Sequence, residues 1–199
     1  MEKLLLKIRP FIFELFSRRT FSFLKYHNFH HTETVVERAY EISRQFPLTQ
    51  REIFSLITAA WFHDTGHLFN ELADHEKVGA DLMASYLKSF SLEEDLIDEI
   101  YACILATKTP THPDTLIQKI ICDADTYHFG TKQFFETDPE VYEELEERFG
   151  TPIQNKIEKS IHLLESHQYY TLYCQELLNN GKKENINLLK SQITKTKNL

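Results

Sequence analysis

The sequence is poor in the residues that form turns and disulfide frameworks. Its 199 residues include only 5 glycines and 6 prolines. Because few turn signals leave long stretches between them, an all-helical (all-α) fold is favoured over a sheet fold. The 3 cysteines, Cys103, Cys122 and Cys174, are widely separated and form no CxxC pair. They indicate buried thiols in a reducing compartment, so we expect a cytoplasmic protein without a disulfide framework.

Basic residues are outnumbered by acidic ones. The chain has 22 lysines and arginines against 30 aspartates and glutamates, which gives a formal net charge of -8 at pH 7. Proteins that follow a nucleic-acid backbone are usually basic, so nucleic acid is not an expected partner. A small phosphorylated substrate stays compatible with this charge, because a bound metal ion can supply positive charge locally.

The N-terminal stretch MEKLLLKIRPFIFELF is apolar but interrupted. Lys7, Arg9, Pro10 and Glu14 break the run, and no small-residue cleavage site follows it. We therefore expect neither a signal peptide nor a stable membrane insertion. A buried or dimer-forming amphipathic helix is the preferred interpretation, so a homodimer is one expectation. Attachment to a membrane surface is the lesser alternative.

Helical periodicity continues through the middle of the chain. Apolar residues recur at helical spacing after the HHT stretch and end near Pro47. Thr49 lies three residues ahead of Glu52, which is the pattern of a capping box and predicts the start of a buried helix. A further helix is predicted for HEKVGADLMASYLKSF. Its apolar stripe is taken as Val78, Leu82, Met83 and Tyr86.

Helices are also predicted for the second half of the chain. SLEEDLIDEIYACILATK begins with a second capping-box pattern, Ser91 and Glu94, and Asp114 is the expected cap of the helix in TLIQKIICDADTYHFG. We expect a polar bend at TDPE and a frayed tail after Gly181. With 42% hydrophobic residues and no linker or repeat, residues 1–199 are expected to form one compact multi-helix domain.

Three stretches contain side chains that bind metals. YHNFHHT at 26–32 has three histidines within five positions, and FHDTGH places His63 and Asp64 at the end of a buried helix. Burying a carboxylate there is costly unless something such as a cation compensates. CDADTY adds Asp123 and Asp125, and helical periodicity does not choose between them. A mixed set of imidazoles and carboxylates suits zinc, manganese, iron or magnesium better than copper.

The order His, His-Asp, Asp on successive helices resembles the HD-domain superfamily of metal-dependent phosphohydrolases over residues 26–130. The resemblance implies one or two divalent metal ions, of Mn, Fe, Zn, Co or Mg. The metal ligands that it implies are His31, His63, Asp64 and Asp125. The family's asparagine-x-x-histidine spacing selects His31 rather than His30, and its Asp-Ala-Asp form selects Asp125. Asn28 and Asp123 are then supporting groups next to the ligands.

The opening motif is also similar to that of cyclic-nucleotide phosphodiesterases, which have Tyr-His-Asn-x-x-His followed by His-Asp-x-x-His. This resemblance implies that His27 is the general acid that protonates the leaving oxygen. It also places His67 near the activated water or the phosphate. Asp64, next to His63, is placed to bridge two ions, and the number of ions is left open.

Structural alternatives accompany several of these assignments. His27 is either the acid or a structural histidine, and His67 either contacts the substrate or supports the ligands. His75 either completes a second metal site or caps its helix, and the cap is preferred. Lys108 either meets a substrate phosphate or is an exposed lysine at a helix end. His30 is interpreted as a surface or helix-start residue.

The sequence thus predicts a metal-dependent phosphohydrolase that hydrolyses a phosphate ester through a metal-activated water. A nucleotide phosphodiester is the favoured substrate. The alternatives are a nucleoside monophosphate or alarmone phosphohydrolase, and a noncatalytic regulatory module that binds metal.

Overall fold

The structure, a computed structural model, describes residues 1–19, 21–69 and 74–197, and helices are their regular secondary structure. No β-strand occurs in these ranges, which confirms the predicted all-α class. The α-helices assigned there are α1 (Glu2–Arg18), α2 (Phe29–Ser43), α3 (Gln50–Phe62), α4 (His75–Lys88), α5 (Glu94–Leu105), α6 (Leu116–Asp125), α7 (Phe134–Phe149), α8 (Lys156–Ser166) and α9 (Leu172–Lys197). Two short 3-10 helices are Thr65–Phe69 and Tyr127–Gly130.

The described residues divide into two compact units. The first unit contains α1 to α6, and the second contains α7 to α9 together with the segment Ser22–Tyr26. That residues 1–199 form one domain therefore stays a prediction. The N-terminal stretch is the amphipathic helix α1, whose buried face has Leu4, Ile8, Ile12 and Phe16. In the ranges described, no helix combines the length and the apolar character needed to cross a bilayer.

Helix α3 is the central element of the first unit. It packs against α1, α2, α5 and α6, and every residue from 54 to 62 is buried. The predicted capping box starts it: Thr49 Oγ1 accepts from the Glu52 amide at 3.2 Å, and Glu52 Oε2 accepts from the Thr49 amide at 2.7 Å. Helix α3 therefore delivers the residues after Phe62 from a fixed position inside the core.

Helices α2 and α6 pack against each other in the first unit. Helix α2 begins at Asn28, whose side-chain oxygen accepts from the His31 amide at 3.0 Å. Helix α6 ends at Asp125. His31 in the first turn of α2 and Asp125 at the end of α6 are thereby set on neighbouring helices.

Two glycines allow α4 to approach the end of α3. A Cβ at Gly79 would lie 2.5 Å from the Phe62 carbonyl oxygen, and a Cβ at Gly66 would lie 2.0 Å from the His75 carbonyl oxygen. Any larger side chain would separate these elements. The close approach brings His75, the first residue of α4, against the 3-10 helix that contains His67.

The two later cap predictions are wrong. Helix α5 begins after Glu93 without a side-chain cap, and Ser91 has a φ of 52° in the left-handed region, two residues before the cap position. Helix α6 is capped by Thr115 instead of Asp114: Thr115 Oγ1 accepts from the Gln118 amide at 3.4 Å. The Gln118 side chain reaches back to the Thr115 amide at 3.2 Å. In both cases the true helix start lies one or two residues away from the predicted one.

Two predicted breaks are also wrong, because packing overrides the local signals. TDPE lies inside α7 with Pro139 in the helix, where Asp138 accepts from Ser160 at 2.8 Å and Tyr142 is buried. Helix α9 continues past Gly181 and packs closely on the second 3-10 helix at that residue. A Cβ at position 181 would lie 2.0 Å from the Gly130 carbonyl oxygen, so the contact requires glycine. These contacts lie within the second unit.

Candidate metal centre

The first unit brings the four predicted metal ligands together. His31 comes from the first turn of α2, His63 and Asp64 follow α3 directly, and Asp125 ends α6. One side-chain atom from each residue lies within 4.8 Å of the corresponding atom of every other. These residues are separated by up to 94 positions in sequence, so the cluster results from the packing of three helices.

The distances within this cluster match those between the ligands of one metal ion. His31 Nε2 lies 3.2 Å from Asp64 Oδ2 and 3.3 Å from Asp125 Oδ1. His63 Nε2 lies 3.1 Å and 3.5 Å from the same two oxygens. Atoms bound at about 2.1 Å to one cation are separated by about 3.0 to 3.4 Å at octahedral or tetrahedral angles.

His63 and Asp64 each have a buried polar atom that an ion would satisfy. His63 Nδ1 is 2.9 Å from the Ala60 carbonyl oxygen, so Nδ1 donates its proton there and Nε2 points into the cluster. Within the described ranges, neither His63 Nε2 nor Asp64 Oδ2 makes a hydrogen bond of acceptable geometry, and both are buried. Such groups are costly in a protein interior unless they bind something.

The electrostatics of the cluster keep its carboxylates ionised. Burial opposes protonation of His31 and His63, but Asp64 and Asp125 outweigh it and raise the pKa of both imidazoles. Burial favours the neutral form of Asp64, but His63 and then His31 outweigh it and hold the pKa of Asp64 well below its usual range. The pKa of Asp125 is lowered against burial by His31 and His63. The ionised carboxylate is the form that binds a metal.

The structure separates the two carboxylates of CDAD. Asp125 lies in the cluster, whereas Asp123 is fully buried and lies outside it. Residues two apart on a helix point in different directions, so only one of the pair can face the cluster. The geometry therefore supports Asp125, although its role as a ligand stays a prediction.

A second group of histidines lies on the other side of Asp64. His27, Asp64 and His67 also place one atom each within 4.8 Å of one another. The ring of His67 lies between those of His27 and His75, at centroid distances of 4.1 Å and 3.9 Å. Asp64 Oδ2 faces His31 and His63, while Asp64 Oδ1 lies 4.0 Å from His67 Nε2 and 3.7 Å from His75 Nε2.

Glu76 is a residue of this region that the sequence did not reveal. It is buried, and its Oε1 lies 3.4 Å from His75 Nε2. Within the described residues, its buried Oε2 makes no hydrogen bond. The signal was present in the sequence, because Glu76, Gly79, Ala80 and Met83 recur at helical spacing and form the buried face of α4. The predicted stripe shares Met83 with this face, whereas Val78, Leu82 and Tyr86 are only half-buried.

The remaining predicted residues lie in different places. Lys108 pairs with Asp74 at 2.6 Å on the surface, and neither metal-ligand group contains it. Asn28 fixes the start of α2 through the His31 amide. His30, next to His31, is exposed.

These features define a helical fold with a cluster of two histidines and two aspartates that could hold a metal at the junction of three helices. The family model HD-CE matches residues 13–189, and the chain belongs to this HD-domain family. The fold is similar to the crystal structure of a predicted HD superfamily hydrolase from an uncultured Thermotogales bacterium. That likeness has a TM-score of 0.61 at 19% sequence identity and covers 95% of this chain and 91% of that chain. No curated protein matches the chain.

Proposed function

We propose that the protein is a metal-dependent phosphohydrolase that hydrolyses a phosphate ester, with a nucleotide phosphodiester as the favoured substrate. The observation that supports it most is the four-residue cluster around His63 Nε2 and Asp64 Oδ2, two buried atoms without hydrogen bonds in the described chain. The structural neighbour is itself described as a predicted hydrolase, which agrees with this proposal.

The donor set fits a divalent transition metal. Two imidazole nitrogens and two carboxylate oxygens suit Mn, Fe, Zn or Co, and Mg less well. Such an ion lowers the pKa of a coordinated water toward neutrality and offsets charge on a phosphoryl oxygen. His31, His63, Asp64 and Asp125 would hold the ion in place. The two carboxylates offset its formal charge of +2, so a phosphate would be held by the ion's open coordination positions and not by an excess of charge.

His27 is proposed as the general acid at the leaving oxygen. It is half-buried, and its ring lies 6.1 Å from that of His31 and 4.1 Å from that of His67, measured between centroids. It is therefore near the ligands without belonging to the four-residue cluster. His67 is proposed to contact the phosphate or the attacking water from the same side.

The test is turnover combined with metal analysis. Purified protein should contain a divalent transition metal and should hydrolyse nitrophenyl phosphate esters with added Mn²⁺, Co²⁺ or Mg²⁺. His63→Ala should lose both metal and turnover, while His30→Ala, in the adjacent exposed position, should keep both. A metal-loaded protein without turnover on these esters or on a panel of nucleotide mono- and diesters would instead be a noncatalytic metal-binding module.

The proposed partner is a small nucleotide in the cytoplasm, and a homodimer remains a prediction. Leu6 and Phe13, seven residues apart on α1, are 77% and 54% exposed and form an apolar stripe that supports it. Light scattering of the wild type and of Leu6→Ser would test this. A monomeric wild type would contradict the dimer without affecting the proposed activity.

A further inference from the structure

We infer that Glu144 of α7 is a positioning residue for His27: its buried carboxylate fixes the backbone of Tyr26, the residue bonded to His27. The inference rests on the proposed function, in which His27 acts at the leaving oxygen. Among the described residues, both groups of candidate metal ligands lie in the first unit, whereas Glu144 lies in the second. The inference therefore gives the second unit a part in the reaction.

The chain that leads into α2 is not held by a helix of its own. Residues 21–28 belong to no helix, so their backbone amides need acceptors other than a helical carbonyl. The Tyr26 amide has such an acceptor in Glu144 Oε2, at 3.1 Å in a buried position and 118 residues away in sequence. A side chain from a distant helix thus fixes the peptide immediately before His27.

The Glu144 carboxylate is itself fixed on its other side. Its Oε1 lies 3.1 Å from Arg148 Nη2, one turn further along α7, and the two side chains are 1% and 4% exposed. A buried carboxylate that faces a guanidinium at one oxygen and an amide at the other has its charge compensated and its orientation defined. The Arg148 guanidinium also lies 4.8 Å from the centre of the Phe23 ring. The ion pair therefore contacts the segment before His27 at two places.

The side chain of Tyr26 is held in the second unit as well. Its ring is buried, and its hydroxyl lies 3.4 Å from the ring nitrogens of His128 in the second 3-10 helix. With both its amide and its ring fixed, Tyr26 gives the following residue a defined starting direction. A reacting group needs to be held within about 0.5 Å of its productive position, so such an anchor matters for an acid.

The competing explanation is that the Glu144–Arg148 pair only stabilises the second unit. The two explanations differ in what a Glu144 variant does when the His27 imidazole is absent. A loss caused by general destabilisation affects every substrate and persists without that imidazole. A loss caused by misplacing His27 disappears once the imidazole has been removed.

The experiment is a double-mutant cycle of Glu144→Gln and His27→Ala in the full-length protein with Mn²⁺. The substrates are a dinucleotide and the nitrophenyl ester of the same nucleotide, which differ in their leaving groups, and bound metal is measured beside kcat and KM. A glutamine has one side-chain oxygen for two donors, the Tyr26 amide and the Arg148 guanidinium, so one contact is lost.

Glu144→Gln should lower kcat on the dinucleotide by at least about 10-fold, because misplacing a reacting group by about 1 Å can cost about 10²-fold. It should leave KM, bound metal and the rate on the nitrophenyl ester unchanged. Added to His27→Ala, the same substitution should cause no further loss on either ester.

Glu147→Gln is the matched control on the same helix. Glu147 is exposed, and its carboxylate accepts from Ser22 Oγ at 3.1 Å and lies 3.9 Å from Lys25 Nζ. It therefore contacts the same segment through side chains, and its variant should keep both rates. If Glu144→Gln does not fold, an ester in place of the peptide bond between residues 25 and 26 decides the question. That change removes the Tyr26 N–H alone and should give the same loss on the dinucleotide.

A folded Glu144→Gln with an unchanged dinucleotide rate overturns the inference, and so do loss of metal or an equal loss with and without the His27 imidazole. If His27→Ala slows both esters equally, the acid role is wrong, but the inference stands when Glu144→Gln adds nothing to that variant. If the metal-loaded wild type hydrolyses neither ester, the proposed function and the inference both fail.

Discussion

The histidines near the cluster are held in place by different contacts, and these contacts determine what each ring can do. His63 donates from Nδ1 to the Ala60 carbonyl oxygen, which leaves Nε2 to bind a cation. His31 is held differently, through the cap that its amide makes with Asn28. His27 belongs to neither arrangement and lies against the ring of His67. The three residues therefore invite different tests.

The acid role of His27 predicts a loss that depends on the leaving group. An alkoxide such as a ribose oxygen leaves poorly without a proton, whereas nitrophenolate leaves readily. His27→Ala should slow hydrolysis of a nucleotide diester by about 10² to 10⁴ and spare a nitrophenyl ester. Rates on both esters and bound metal should be measured together. Equal slowing of the two esters, or loss of metal, would make His27 a structural residue or a ligand.

Asp125 and Asp123 should differ in their effect on metal affinity. Asp125→Asn removes a charge from the cluster and should weaken binding sharply. Asp123→Asn changes a buried residue outside the cluster and should weaken binding by about 10-fold to 100-fold at most. Metal titrations of the two variants give the order. The reverse order would refute the assignment of Asp125.

Individual helices differ in how far local sequence determines them. The start of α3 was predictable because a capping box involves residues only three apart, Thr49 and Glu52. The continuation of α7 through Pro139 and of α9 through Gly181 could not be predicted in this way. It depends on contacts with residues that are distant in sequence. The four-residue cluster was predicted from the order of its motifs together with the family resemblance that this order carries. Glu76 was missed, although its helical spacing with Gly79, Ala80 and Met83 is visible in the sequence, because the stripe of α4 was placed on Val78 and Leu82.

The cap of α3 should contribute measurably to stability. Thr49→Ala should lower the free energy of unfolding by about 1 kcal/mol, because the Glu52 amide loses its acceptor. Urea unfolding of this variant against Thr137→Ala, a threonine within α7 whose hydroxyl bonds to backbone carbonyls, provides the comparison. A loss no greater than that of the control would mean that the cap does not stabilise α3.

The contribution of this cap to stability should depend on pH, because it involves the ionised side chain of Glu52. Hydrogen bonds from the Thr49 amide and hydroxyl lower the pKa of Glu52. A lowered pKa in the folded state means that the charge stabilises the fold above the unfolded-state pKa of about 4.3, and that this contribution is lost as pH falls further. The difference in stability between wild type and Glu52→Gln should therefore be constant near neutral pH and shrink in acid. A difference that grows in acid would contradict this.

At the scale of the molecule, the metal centre should stabilise the first unit as a whole. Its proposed ligands come from α2, α6 and the residues after α3, which meet only in the folded chain, so an ion held by them would bind the folded state and not the unfolded one. Metal at about 100 times its dissociation constant then adds about 2.7 kcal/mol. Added Mn²⁺ should raise the unfolding temperature of wild type and of His30→Ala, and chelation should reverse the gain. His63→Ala should not respond.

Hydrogen exchange should show where this stabilisation acts. In the first unit, amides of α2, α3 and α6 should exchange more slowly in the metal-loaded protein, because opening any of these helices breaks the ligand set. Helices α8 and α9 in the second unit contribute no residue to the cluster, so hydrogen exchange of their amides should slow less. The same comparison of metal-loaded and chelated protein should be made with His63→Ala, in which the exchange rates of both sets of amides should stay unchanged. Equal slowing in α2 and α9 would mean that the ion acts elsewhere, and the four-residue cluster would no longer account for metal binding.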